Sequence, residues 1–217
     1  MGNDVTMKKD TKSTKSTLVR DTVILFAITL IAGLLLGLVY EVTAPVIAER
    51  RLQAKMDAYK VVYQSASEFI EDEALTKKAN NAAETILAKV GYDAITIDEA
   101  LIAVDASGDK IGYVLSVSTQ KGYKGNITLT LGYSLDGTIT GMEFLDINET
   151  AGLGSKAKEP SFKGQFVDKQ VDKFTLSKNA TNVNEVDALS GATITSRAVL
   201  DAVNAGMYFV TQSAEVE

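Results

Sequence analysis

The residues best suited to chemistry lie toward the C-terminal end, in Asp187-Ala-Leu-Ser-Gly-Ala-Thr193 and the Ile194-Thr-Ser-Arg197 that follows. Ser190, Thr193, Thr195 and Ser196 offer hydroxyls, and Gly191 permits a tight turn or a close backbone approach. An apolar period of Val199, Leu200, Val203, Met207 and Val210 follows, so the stretch reads as the start of a helix over about Thr195 to Thr211. A helix N-terminus presents unpaired N–H groups and a partial positive charge, which favour a phosphate. A threonine in such a place can accept or carry a phosphate ester. The same hydroxyls can also serve only as local caps, and spacing alone leaves both readings open.

What the chain lacks narrows the chemistry further. None of its 217 residues is cysteine or histidine. Without cysteine there is no disulfide, no thiolate zinc site, no thiolate-held iron–sulfur cluster and no lipid carried on a cysteine. Without histidine there is no Ser-His-Asp triad, no imidazole base and no haem held by His. Carboxylate, Lys and Tyr chemistry remain, as does any reaction carried by a bound organic cofactor. A net charge of −6 argues against a nucleic-acid partner, which needs clustered Lys and Arg.

The elements that must position these residues follow in order along the chain. Residues 1–20 are polar and basic, with no apolar period, and are expected to be a disordered cytoplasmic tail. From Thr22 to Tyr40 no charge appears, a run long enough for a transmembrane anchor placed at 21–43. A cleavable signal peptide has a shorter apolar core, and Pro45 would directly follow the small-residue Val42-Thr43-Ala44 site. The basic flank precedes the span, so the positive-inside rule puts the rest of the chain outside the cytoplasm. Gly33 and Gly37 form a small-xxx-small pair, which suits close helix approach or reflects the ordinary glycine content of such helices.

Residues 44–100 read as a helical linker and packing segment. Pro45 suits the first turn of a new helix, and Leu52, Met56, Tyr59, Tyr63, Ala66 and Ile70 form one stripe on a helix from about Val46 to Ile70. A polar loop at 71–84 and a short helix at about Ala82–Val90 follow. Residues 101–217 form the main domain. Leu101–Asp105 and Lys110–Thr119 flank a turn, and Ile127–Ser134 and Thr138–Ile147 flank Asp136-Gly137, a strong hairpin marker. Two hairpins predict a four-stranded antiparallel sheet; with helices at Ser161–Lys169 and at the C-terminal end, the class is α+β.

Asp187-Ala-Leu-Ser-Gly-Ala-Thr193 resembles the flavinylation motif of the FMN-binding domain family shared by RnfG and NqrC proteins. Glu149-Thr-Ala-Gly-Leu-Gly154 is similar to that family's glycine loop, with Ala151 where proline is usual, and Gly122-Tyr-Lys-Gly125 is similar to a third element. The likeness covers about residues 101–211. It implies FMN bound covalently through its phosphate to Thr193 by a dedicated flavin transferase, with Asp187 a recognition position and Ser190, Gly191 and Ala192 shaping the turn. It further implies Glu149, Thr150, Gly152 and Leu153 near the isoalloxazine and Thr195 by the phosphate. Lys156, Lys158 and Lys163 either attract an anionic flavin or partner or are solvated surface.

The same resemblance implies an electron-transfer subunit of the membrane-bound Rnf ferredoxin:NAD oxidoreductase complex, which couples electron flow to sodium or proton transport. Its partners would be neighbouring membrane subunits, with no catalytic residue and no metal ligand of its own. No GxGxxG follows a strand, so nothing here reads as an NAD site. The rival readings are an NqrC-like component of the sodium-pumping NADH:quinone reductase, a stand-alone flavoprotein feeding an extracellular reductase, and a non-redox anchored binding domain.

Overall fold

The charge-free run from Thr22 to Tyr40 lies, in a computed structural model that describes residues 11–214, inside one long helix, α1 (Thr11–Val62). None of its most apolar window is buried in protein, and it is long and apolar enough to cross a membrane. The helix takes in residues 11–20, which the sequence suggested as tail; extending an existing helix adds a hydrogen bond for each residue fixed. Residues 1–10 lie outside the described residues. No new helix starts at Pro45, because α1 runs straight through it. Proline there forfeits the bond to the Glu41 carbonyl, at a stretch exposed enough for another donor to replace it.

The chain divides into two units, Met1–Leu52 and Gln53–Glu217. Residues 53–100, which looked like a linker, supply structural elements of the second unit. Its order is the end of α1, β1 (Glu68–Glu71), α2 (Glu73–Ala82), a π turn and a 3-10 turn to Val90, and β2 (Ile95–Val104). Then come β3 (Lys110–Gly122), β4 (Gly125–Ser134) and β5 (Thr138–Ile147). The remainder is a 3-10 turn at Gly154–Lys158, α3 (Pro160–Lys163), β6 (Lys169–Gln170), β7 (Thr175–Ser177), β8 (Glu185–Asp187) and α4 (Thr193–Ala214). The fold is α+β, with a six-stranded antiparallel sheet in the order β1-β2-β3-β4-β5-β6 in place of four strands.

Several boundaries differ from expectation. The stripe read as one helix to Ile70 breaks at Val62, and its last members Ala66 and Ile70 fall in a turn and in β1. Pairing of Phe69 and Ile70 with Ala103 and Ile102 outweighs helical spacing there. The polar loop at 71–84 is mostly α2, capped by the Asp72 carboxylate, which accepts from the Leu75 N–H at 2.7 Å. The helix placed at Ser161–Lys169 is only one turn long. The apolar Phe174–Leu176 overlaps β7, which pairs in parallel with β8.

Each face of the sheet is covered. On one, α4 lies over Leu115, Val117 and Leu131, and Gly206 lets it approach to where a Cβ would sit 3.0 Å from the Leu131 Cδ1. Asn204 on α4 is buried and bonds both backbone groups of Phe174, accepting from its N–H at 2.8 Å and donating to its carbonyl at 3.0 Å. That pins the segment before β7 against α4 beside the edge-to-face pair Phe166 and Phe174. On the other face, Tyr59, Val62 and Tyr63 at the end of α1 pack against Leu101, Ala103 and Val114. A Cβ on Gly141 would lie 2.5 Å from the Val62 Cα, and one on Gly132 would collide with the Val62 carbonyl. That carbonyl accepts from the Thr140 hydroxyl at 2.6 Å. The buried Tyr59 hydroxyl donates to Glu99, which also pairs with Lys55, and lies 3.1 Å from the Ser116 Oγ.

Two outcomes follow. Gly132→Val, which forces a side chain into the Val62 seat, lowers stability by about 1–3 kcal/mol in denaturant unfolding. Burial and the neighbouring Glu99 hold the Tyr59 phenol well above its ordinary value of 10.0. The stability linked to the neutral phenol is complete below pH 10 and is lost as pH climbs beyond it, while the unfolded chain ionises. Tyr59→Phe therefore costs about 1–3 kcal/mol at neutral pH. It also makes the alkaline fall in melting temperature shallower than that of the parent.

Candidate functional site

The site is built where β8 hands the chain to α4. The Asp187 carboxylate accepts from the Ala180 N–H at 2.7 Å, and its own N–H donates to the Gln165 Oε1 at 2.6 Å, so the strand end is tied on two sides. A turn follows over Leu189–Ala192, closed by the Ala192 N–H on the Leu189 carbonyl at 3.0 Å. Gly191 occupies its third position with φ +74, where a β-carbon is strained. The Ser196 hydroxyl accepts from the Leu189 N–H at 2.9 Å and donates to the Ala192 carbonyl at 3.0 Å. Ser196 thus ties the turn before the helix to the helix's first turn. Thr193, the first residue of α4, is exposed, and among the described residues its hydroxyl joins no hydrogen bond.

The Glu149–Gly154 loop faces that helix start. A turn over Thr150–Leu153 closes with the Leu153 N–H on the Thr150 carbonyl at 3.1 Å, and Gly152 takes φ +75 at its third position. Ala151 stands second, where proline is favoured but not required, and the turn forms without it. A Cβ on Gly154 would lie 2.6 Å from the Thr195 Oγ1 and 2.9 Å from the Glu149 Oε2, so only glycine lets loop and helix meet. Gly122 is similarly tight, with a Cβ there 2.8 Å from the Glu149 Oε1. Three segments distant in sequence therefore converge on Glu149.

They enclose a cleft of about 440 Å³. Of the residues singled out from sequence, Glu149, Thr150, Leu153, Gly191, Ala192, Thr193 and Thr195 line it, whereas Ser190 and Gly152 do not. Tyr123, Gly154 and Ile194 line it too. Gly154 and Ile194 were not singled out as contacts; the available signal for Ile194 is an apolar residue between two threonines in a first helical turn. Lys163 is paired with Glu143 at 2.5 Å, while Lys156 and Lys158 are exposed.

The cleft's chemistry is mixed in a specific way. Tyr123, Leu153 and Ile194 present exposed apolar surface, and the free N–H groups of α4 open on the Thr193 side. Glu149 is buried; its Oε1 accepts from the Lys124 N–H at 3.4 Å, and its Oε2 has no partner among the described residues. An unpaired buried acceptor in a cleft wall is suited to a ligand that brings a donor. FMN matches this set: a flat ring for the apolar surface, N–H and hydroxyl donors for Glu149, and a phosphate for the helix start. Its volume suits the cleft, which falls in the range of small-molecule sites.

Comparison with known proteins gives the lineage. Residues 122–207 match the FMN-binding domain family, and residues 7–62 match the RnfG N-terminal region. The chain is 32% identical over 181 residues to the G component of the proton-translocating ferredoxin:NAD(+) oxidoreductase complex of Clostridium ljungdahlii, covering 83% of this chain and 85% of that one. It is 34% identical over 190 residues to the G component of the ion-translocating oxidoreductase complex of Methanosarcina acetivorans, covering 87% and 92%. Among solved structures, Shewanella oneidensis NqrC matches with a TM-score of 0.44 and 24% identity, over 53% of this chain and 60% of that one. With a free threonine hydroxyl at the helix start, an FMN-binding domain around the cleft and relatives matched over most of their length, the chain belongs to the RnfG family of the ion-translocating oxidoreductase (Rnf) complexes.

Proposed function

We propose that this chain is an electron-transfer subunit of a membrane-bound ion-translocating ferredoxin:NAD oxidoreductase complex, with FMN held covalently through its phosphate on Thr193. The observation that carries the reading is the exposed Thr193 hydroxyl, which joins no hydrogen bond among the described residues, at the mouth of a cleft whose wall holds an unpaired buried carboxylate oxygen. FMN supplies the reversible uptake of electrons that no side chain of this Cys- and His-free protein provides. Thr193 would contribute its hydroxyl oxygen to the phosphate ester, the new P–O bond replacing the one from phosphorus to the leaving group of the transferase's flavin nucleotide substrate, which would depart with the hydroxyl proton. The first-turn N–H groups of α4 offset the phosphate charge. Tyr123, Leu153 and Ile194 supply apolar surface for the ring, and the Glu149 Oε2 accepts a hydrogen bond from it or from the ribityl chain. Thr150 and Thr195 complete the polar side of the cleft, and Gly152 shapes its loop.

Attachment falls to a flavin transferase, with Asp187 part of the stretch it reads and Ser190, Gly191 and Ala192 setting the turn. The basic residues before the apolar run orient α1 with its N-terminal end in the cytoplasm, so the Gln53–Glu217 unit lies on the extracytoplasmic side. A cofactor lost there is not replaced, and an ester prevents the loss. The other membrane subunits of the complex are the electron partners.

Intact mass of the full chain, co-expressed with a flavin transferase, tests the attachment. The parent gains one FMN less one water, and Thr193→Val gains nothing. A gain in both moves the ester to Thr195 or Ser190; a gain in neither, beside a flavinylated control, leaves an anchored binding domain without redox function. The orientation is checked with Asn179→Cys, which introduces the one thiol of the chain at an exposed loop position. A membrane-impermeant maleimide labels it in intact cells with a permeable outer envelope; labelling only after lysis puts the domain on the other side.

A further inference from the structure

Glu149 stands where the three segments that wall the cleft meet, and each of those segments also carries one of the cleft's apolar residues. Tyr123 lies between Gly122, where a Cβ would be 2.8 Å from the Glu149 Oε1, and Lys124, whose N–H donates to that oxygen at 3.4 Å. Leu153 precedes Gly154, where a Cβ would be 2.9 Å from the Glu149 Oε2. Ile194 precedes Thr195, whose Oγ1 crowds the same Gly154 position at 2.6 Å. Consecutive Cα atoms are about 3.8 Å apart, so a flat ring seated on Tyr123, Leu153 and Ile194 is close to the carboxylate.

That carboxylate has no counter-charge. Glu149 is 8% exposed and forms no ion pair among the described residues. Lys124 gives it a backbone N–H and not an ammonium, and no Lys or Arg is among the described residues that line the cleft. The start of α4, which meets it through Thr195 and Gly154, favours an anion there. A helix end carries only about half an elementary charge, so it does not cancel a carboxylate. A charge held away from bulk water is weakly screened, and charge beside a flavin ring is one means by which a protein tunes it. A negative charge opposes the addition of electrons to the ring. We propose that Glu149 sets the potential of the bound flavin, holding it lower than the same cleft would without the carboxylate and making the flavin the stronger electron donor. This role rests on the flavin-carrier reading above and adds to it the residue that poises the carrier's electrons.

The test is a redox titration of the full flavinylated chain in detergent, followed by flavin absorbance at one pH. Mass confirms flavin loading in every sample, and circular dichroism confirms the fold. Glu149→Gln keeps the shape of the side chain and removes the charge; Glu149→Ala removes the charge without bringing an amide; Glu149→Asp keeps the charge. Glu149→Gln and Glu149→Ala both favour the reduced flavin at least about tenfold, a rise of about 30 mV for a two-electron couple. Glu149→Asp stays closer to the parent than either, and Glu71→Gln, at an exposed carboxylate of β1, changes nothing. Loaded Glu149→Gln and Glu149→Ala chains with the parent's potential, or a lower one, overturn the assignment. A rise in only one of the two does so as well, since a new amide hydrogen bond accounts for the first alone and admitted water for the second alone. A rise in Glu149→Asp as large as theirs marks packing in place of charge and also overturns it. So do folded Glu149→Gln and Glu149→Ala chains that carry no flavin beside a loaded Glu71→Gln, because the carboxylate then serves attachment. A parent chain without covalent flavin overturns the carrier reading, and this role with it.

Discussion

The close approach of the Glu149–Gly154 loop to the first turn of α4 is the constraint on which the site depends. At Gly154 there is no room for even one carbon between the Thr195 Oγ1 and Glu149. The contact is possible because both partners arrive from fixed positions. The loop leaves β5 just after Ile147, which is buried and paired with Ile127, and α4 is held on the sheet by the missing side chain of Gly206. A side chain at Gly154 would push the loop away, open the cleft and expose Glu149. The glycines of the site thus act in two ways: Gly152 and Gly191 supply positive φ for turns, and Gly154 supplies space.

The treatment of buried polar groups separates scaffold from site. Tyr59, Glu99, Lys55 and Ser116 satisfy one another where α1 meets the sheet, and Asn204 gives both amide groups to the Phe174 backbone. Leaving such a group unpaired in the interior costs about 1–3 kcal/mol. The Glu149 Oε2 is the buried side-chain atom without a partner among the described residues, and it lies in the cleft wall. A buried acceptor left open at a cavity wall suits a ligand that brings a donor.

Much of the scaffold was legible in the residues themselves. The apolar run of α1 declares itself by length, the β4–β5 hairpin by alternation and Asp136-Gly137, and α4 by its repeating apolar face. These signals are local, carried by residues a few positions apart, and the structure keeps them with boundaries shifted by a few residues. The short strands were not legible. β1 and β6 have four and two residues, too few for any period to show, and exist because a sheet edge offers them partners. β7 and β8 pair in parallel across the seven-residue stretch between Ser177 and Glu185, which no turn motif announces. The end of α1 is hidden in the sequence because a helical stripe and the following strand share apolar spacing.

The site divides along the same line. Sequence by itself determined which residues are chemically equipped: a threonine at a helix start, a glycine turn before it, and no cysteine or histidine to compete with a bound cofactor. Those follow from residue type and near-neighbour spacing. Tertiary structure alone decided that Gly154 must yield space to Thr195 and that Glu149 is buried with one oxygen unpaired. Each of these is a contact between segments tens of residues apart, and its energy depends on packing distances that no local pattern encodes.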